Sequence, residues 1–257
     1  NISPSTFTYV NGTSDTSQNP QVQFSATGTY TVELIASNSF GTDTATINAY
    51  INVVTPSSLT LTEDFEVSFP PAGWRVEASA NAITWAQRTN IIGRNGAITS
   101  AAYMNNFDQV NGSIDGLARL QIDLGSANVP RMTFDVAYTR ANPFANDGLR
   151  IDISTDCGNT YTPSGYLKQG VALSTTPNNN QPFVPSAGNQ WRNDTLDLTS
   201  YAGQIVTIKF VSLSASGNNL YIDNLNITDA NGLNETALNA IVNIFPNPSI
   251  DGLFNVS

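Results

Sequence analysis

"QIVTIKFVSLSASGNNLYIDNLNIT", residues 204–228, contains two runs in which apolar side chains recur at every second position. Val206, Ile208 and Phe210 share one face of the first run. In "LYIDNLNI" the same period sets Asp223 on one face with Tyr221, Leu225 and Ile227. A period of two marks a strand with one buried face. The pattern repeats upstream, in "RMTFDVAYTRA" (131–141) through Met132, Phe134, Val136 and Tyr138, and in "GLRIDIST" (148–155) through Leu149, Ile151 and Ile153. "STDCGNTY" (154–161) reads as a hairpin turn, and 168–190 as a long polar loop. No helical period emerges between residues 59 and 228. The expectation is an all-β chain whose main body is a jelly-roll sandwich.

Composition narrows what such a body can do. The 257 residues carry 20 acids against 10 bases, a net charge of −10, which repels phosphate backbones and excludes nucleic acid as a natural partner. No stretch reaches the roughly 20 apolar residues of a membrane span. There is no histidine, so a Ser-His-Asp triad, a Cys-His pair and an HExxH zinc site are all excluded from this stretch. The single cysteine, Cys157, cannot form an internal disulfide, and no Lys or His lies near it in sequence to activate it. It is expected to be buried or inert unless it pairs with a cysteine outside this chain.

Before the long segment, "GTYTVELIASNSFGTDTATINAYINV" (28–53) reads as strand, turn and strand. Gly28, Tyr30, Val32, Leu34, Asn38, Gly41, Ile51 and Val53 resemble the closing hairpin of the PKD family of immunoglobulin-like modules. Residues 1–54 are assigned to such a partial module, and 55–58, within "VTPSSLT", to a linker. The first strands are expected to lack partners, so the chain is read as a piece of a longer protein.

Residues 59–228 resemble the MAM-like choice-of-anchor J jelly rolls and the related cleaved-adhesin modules of Bacteroidetes surface proteins. The resemblance is carried by "EDFE", "FPPAGW", "STDCGNTY", "QWRNDTLDLTSYAGQIVTIKF" and "GNNLYIDNLNI". Residues 229–240 read as a linker. The closing "VNIFPNPSIDGLFNVS", within 241–257, resembles the start of a type A C-terminal sorting domain, through Pro246, Asn247, Pro248, Gly252 and Phe254. That resemblance implies two partners, the outer-membrane shuttle and the sortase of the type IX secretion system. It also implies a secreted or cell-surface location, reached with a signal peptide.

Candidate sites follow from residue type. Asp223 stands among apolar neighbours, and a buried charge requires a partner. Asp64 and Glu66 share a face opposite Phe65, and a jelly roll brings its first and last strands together. Calcium takes 6–8 oxygen ligands at about 2.3–2.6 Å and suits such a cluster. The resemblance implies a structural calcium at the same place, with Glu66 and Asp223 first and Asp64 and Asp147 behind. The alternative is turn capping, in which the acids accept from backbone N–H groups or pair with arginine. A glycosidase pair would need two carboxylates about 5–9.5 Å apart across a cleft, and twenty acids give that spacing by chance. Trp85 and Trp191, with Trp74 and several tyrosines, offer a sugar-stacking platform; the alternative is core packing. Asp43-Thr44-Ala45 and Asp194-Thr195-Leu196 resemble the Bacteroidetes O-glycosylation pattern at Thr44 and Thr195.

The function expected is a non-catalytic accessory, binding and sorting region of a surface protein. In resembling proteins these three modules often follow a pappalysin-like zinc metallopeptidase. The alternative is a surface adhesin whose jelly roll binds polysaccharide or a neighbouring cell.

Overall fold

The structure, a computed structural model, describes residues 1–53, 56, 59–78, 83–215 and 217–230. Among the described residues it is a β protein, with two short 3₁₀ turns at Gly188–Gln190 and Thr199–Tyr201.

The first 53 residues form β1 (Ile2–Ser3), β2 (Phe7–Tyr9), β3 (Val22–Phe24), β4 (Gly28–Asn38) and β5 (Gly41–Val53). The long hairpin β4–β5 is the one the alternation predicts. The opening strands do have partners: Ile2 pairs with Val32 and extends the hairpin to three strands, and Phe7 pairs with Phe24. Tyr30 is fully buried against the Phe24 ring, with its hydroxyl donating to the Ala26 carbonyl at 2.8 Å.

The sandwich begins with β6 (Leu61–Glu63), β7 (Trp74–Glu77), β8 (Ala86–Ile92), β9 (Ile98–Met104), β10 (Ile114–Asp123) and β11 (Pro130–Tyr138). It continues with β12 (Gly148–Ser154), β13 (Thr162–Gln169), β14 (Arg192–Asp197), β15 (Ile205–Leu213) and β16 (Leu220–Asp229). One sheet has the order β13-β12-β15-β10-β7; the other has β14-β11-β16-β9-β8, with β6 also on β16. Met132, Phe134, Val136 and Tyr138, with Leu149, Ile151, Ile153, Val206, Ile208 and Phe210, all point into the core between the sheets, as their alternation requires. Truncating one such residue to alanine costs about 2–5 kcal/mol.

"FPPAGW" has a local cause. Gly73 sits at φ +77°, and the Arg119 guanidinium occupies the place a Cβ would take. Arg119 Nη1 donates to the Gly73 carbonyl at 2.8 Å and the Leu120 carbonyl at 3.0 Å, which fixes the entry of Trp74 into the core.

The strand that positions the candidate site is β16. Along one edge it pairs with β11 throughout. Along the other it pairs first with β9, from Leu220↔Met104 to Ile222↔Ala102, and then with β6, from Leu225↔Glu63 to Ile227↔Leu61. Asp223 and Asn224 fall between those two partners. The ladder to β11 shifts register there, and Asn224 takes φ +49°, so this is a β-bulge. The bulge corrects the simple alternation. Leu220 and Ile222 enter the core before it, and Leu225 and Ile227 after it. Asp223 therefore shares the outer face with Tyr221 and not with Leu225 or Ile227.

Candidate functional site

Asp223 is fully buried although it points away from the sandwich core. The segment after β6 covers it. The Phe65 ring is anchored in the core, edge-on to Trp74 at 5.4 Å, and its carbonyl accepts from Gln87 Nε2 at 2.6 Å. With Phe65 held inward, Glu66 points outward over β9. Its carboxylate accepts from the Thr99 hydroxyl at 2.6 Å, the Ser100 N–H at 2.7 Å and the Ser100 hydroxyl at 2.9 Å. Thr99 Oγ1 also lies 3.3 Å from Asp223 Oδ2, so one hydroxyl bridges the two carboxylates. The other Asp223 oxygen accepts from the Asn224 N–H at 2.7 Å. First and last strands thus bring Glu66 and Asp223 together.

The electrostatics are one-sided. Burial, and after it the charges of Asp135 and Glu66, push the Asp223 carboxyl up to about 7. Against some desolvation, the Thr99 and Ser100 hydrogen bonds hold Glu66 below its ordinary value. Among the described residues no lysine or arginine forms an ion pair with Asp223 or Glu66. The donor set is hard oxygen and anionic, which fits a calcium ion. Carboxylates alone would not complete its shell, since no group of three metal-ligating side chains forms among the described residues. Backbone carbonyls, hydroxyls and water would supply the rest.

The other two acids lie differently. Asp64 is exposed and caps its own turn, accepting from the Glu66 N–H at 3.2 Å. Asp147 is fully buried at a separate place, where it accepts from the backbone N–H groups of Ala215, Gly217 and Asn218 and from the Tyr138 hydroxyl. Gly217 has no Cβ because Asp147 fills that space. Asp147 is a loop clamp, the turn-capping alternative, and lies outside the Glu66–Asp223 pair.

The tryptophans go to the core. Trp85 is 2% exposed, with its indole N–H donating to the Asp115 carbonyl at 3.0 Å; Trp191 is 6% exposed and donates to the Ile92 carbonyl at 2.8 Å. Neither presents a ring face for stacking. Cys157 is exposed at the turn between β12 and β13, so of the buried or inert thiol expected from sequence the burial does not hold. Thr44 on β5 and Thr195 on β14 are exposed and lie on edge strands. Pro246, Asn247, Pro248, Gly252 and Phe254 lie outside the described residues.

Sequence reading missed a second feature beside the acid pair. On the outer face of the six-stranded sheet, Arg94, Thr133, Asp135, Asn193, Asn224 and Asn226 line an open depression of about 650 Å³. At its floor the Asp135 carboxylate, 4% exposed, accepts from Asn193 Nδ2 at 2.8 Å and Asn224 Nδ2 at 3.1 Å. A smaller depression of about 370 Å³, flanked by Thr62 and Asp64, shares Asn224 and Asn226 with it. The available signal was the polar residues at alternate outward positions of strands whose inward positions are apolar.

No protein-family model and no curated protein matches the sequence. Among solved structures, the chain is similar to the K1 cleaved adhesin domain of Lys-gingipain from Porphyromonas gingivalis W83. The TM-score is 0.50 and the identity 23%, covering 67% of this chain and 99% of that one. The K3 cleaved adhesin domain of the same protein follows at TM-score 0.47 and 18% identity, over 65% and 97%. A family 11 carbohydrate-binding module from Clostridium thermocellum, solved with a mixed-linked tetrasaccharide, gives TM-score 0.39 and 11% identity, over 68% and 98%. The K1 likeness establishes the fold, a β-sandwich of the cleaved-adhesin shape.

Proposed function

We propose that this chain is a non-catalytic binding region of a secreted cell-surface protein, and that its jelly roll attaches the parent to a glycan-bearing surface. The observation that carries this reading is the open, polar, side-chain-lined depression on the outside of a rigid sandwich. Carboxylates elsewhere are engaged structurally: Asp194 with Lys168 and Arg192, Asp152 with Arg150, and Glu77 with Arg75 and Lys209. The test is adhesion of beads coated with the protein to bacterial and animal cells, beside a panel of peptide, ester and glycoside substrates. Beads that stay free, or turnover removed by a carboxylate-to-amide change, overturn the reading.

The same reading includes a structural calcium held by Glu66 and Asp223. Its support is the buried Asp223 carboxylate, joined through Thr99 to the exposed Glu66 carboxylate, with no lysine or arginine paired to either among the described residues. The ion would supply positive charge where two strands leave a gap on β16, and so hold the turn after β6 against the last strand.

Export by the type IX system rests on residues 246–254, and glycans at Thr44 and Thr195 rest on the Asp-Thr-apolar pattern and on the exposure of both residues. A complete sorting domain fused to a reporter should carry it to the surface of a type IX-competent bacterium. Replacing Pro246-Asn247-Pro248 by alanines should stop it. An HExxHxxGxxH motif in the full gene product would join the region to a pappalysin-like metallopeptidase, and further PKD or jelly-roll repeats to an adhesin.

A further inference from the structure

We propose that the two depressions on the outer face of the six-stranded sheet form one groove for a chain of neutral, hydroxyl-rich sugars, read by side-chain amides and not by aromatic stacking. This rests on the binding-module reading and gives it a location and a ligand class.

Three observations carry it. The first is continuity: the depressions of about 370 and 650 Å³ share Asn224 and Asn226, so a linear ligand entering between Thr62 and Asp64 runs on towards Arg94 and Asn189. The second is chemistry. Asn95, Asn189, Asn193, Asn224 and Asn226 place five carboxamides along one depression, each with two N–H donors and an acceptor oxygen. Paired donor and acceptor on one planar group match neighbouring hydroxyls on a sugar ring. Among the described residues no aromatic ring lines either depression, so neither ring stacking nor an apolar peptide anchor has a seat there. Arg94 brings a cation to the lining but lies 3.8 Å from the Asp135 carboxylate, so a phosphate-bearing ligand would still face Glu63 and Asp64 on a chain of net charge −10.

The third observation is preorganisation. The buried Asp135 carboxylate already holds one N–H of Asn193 and one of Asn224, which leaves each amide a second N–H and its oxygen in a fixed direction. Side chains set before binding lose less entropy on contact. The wall carrying Asn189 is equally fixed. Gln190 Oε1 accepts from the Ser186 and Ala187 N–H groups, and Gly188 lies so close to the Arg94–Gly96 turn that a Cβ would meet the Arg94 carbonyl oxygen at 2.5 Å.

The test titrates the whole chain with four neutral hexasaccharides: β-1,4-glucan, β-1,3-glucan, β-1,4-xylan and β-1,4-mannan. Calorimetry gives affinity, and the side-chain amide signals in ¹H–¹⁵N spectra report location. The expected result is saturable binding of at least one, with the Asn193, Asn224 and Asn226 amide signals moving. Asn226→Asp and Asn189→Ala should each weaken it by about tenfold, the loss of one or two hydrogen bonds, with unchanged melting temperature. No binding by any hexasaccharide, or binding that persists in both variants, overturns the groove. The bead assay separates the two levels. If wild-type and variant beads adhere equally, the groove is wrong and the binding reading stands; if wild-type beads do not adhere, the binding reading itself fails.

Discussion

Tyr166 and Asp194 tie the two sheets together at one edge of the sandwich: the phenol on β13 donates to the carboxylate on β14 at 2.6 Å. Lys168 Nζ and Arg192 Nε reach the other carboxylate oxygen, each at 2.8 Å. Asp194 is 4% exposed, whereas the side chains of Lys168 and Arg192 are about a third exposed. Asp194→Asn should therefore destabilise by about 2–3 kcal/mol, less than removing one partner of a fully buried pair.

The same latch predicts a pH dependence. Desolvation would raise the Asp194 carboxyl, but the bonds from Arg192, Lys168 and Tyr166 outweigh it and hold the group below the usual carboxylate range. A carboxylate depressed on folding stabilises above its unfolded value, and the stabilisation is lost as pH falls through the folded one. Urea unfolding of wild type and Asp194→Asn should differ most at neutral pH, and the difference should shrink below about pH 4. A constant difference down to pH 2 would show that the charge of Asp194 is not what joins the sheets.

Removing calcium should lower the melting temperature of the sandwich, and Asp223→Asn should abolish that sensitivity. The geometry adds a crossing. Without a cation Asp223 is a buried charge beside Asp135 and Glu66, so the amide should melt at or above wild type in chelator and below it in calcium. An ion present at a hundredfold excess over its dissociation constant stabilises by roughly 2.7 kcal/mol, a shift that calorimetry resolves easily. Identical curves with and without chelator would remove the ion.

Asp147 should behave in the opposite way. Its acceptors serve three backbone N–H groups in the loop leading to β16, and Asp147→Ala would leave those donors buried without it. The cost should be about 3 kcal/mol or more, by the penalty of 1–3 kcal/mol for each orphaned group. The calcium response should be unchanged, because this cluster is separate from Glu66 and Asp223. A lost calcium response in Asp147→Ala, in protein that remains folded, would tie the two places together.

These two aspartates mark how far the sequence could be read. Strands and their inward faces were legible because an apolar residue at every second position has one physical solution. The approach of Glu66 to Asp223 was legible because a jelly roll closes its first strand on its last. The bulge at Asn224 was not, since nothing in "LYIDNLNI" shows that β9 and β6 divide the same edge of β16. It alone moved Leu225 and Ile227 to the opposite face from Asp223. Asp147 read as a secondary calcium ligand, or otherwise a turn acid, because its three amide donors come from about seventy residues away. The groove was invisible for a similar reason: its asparagines are scattered over β14, β16 and two loops, and only the sheet order collects them.

The last prediction separates core packing from sugar stacking at Trp85 and Trp191. Both rings are buried and both indole N–H groups donate to backbone carbonyls, of Asp115 and Ile92. Phenylalanine keeps most of the ring and removes the donor, so Trp85→Phe and Trp191→Phe should each cost about 0.5–1.5 kcal/mol for the lost indole hydrogen bond. Alanine removes the packing as well and should cost about 3–5 kcal/mol. Trp191 also sets its ring edge-on to Tyr221 at 6.3 Å, so its loss should disturb β16 from the outer face. Saccharide affinity, measured well below the melting temperature, should be unchanged in both phenylalanine variants. If Trp191→Phe or Trp85→Phe remains folded and loses binding, the indoles take part in recognition, and the amide groove is not where the sugar sits.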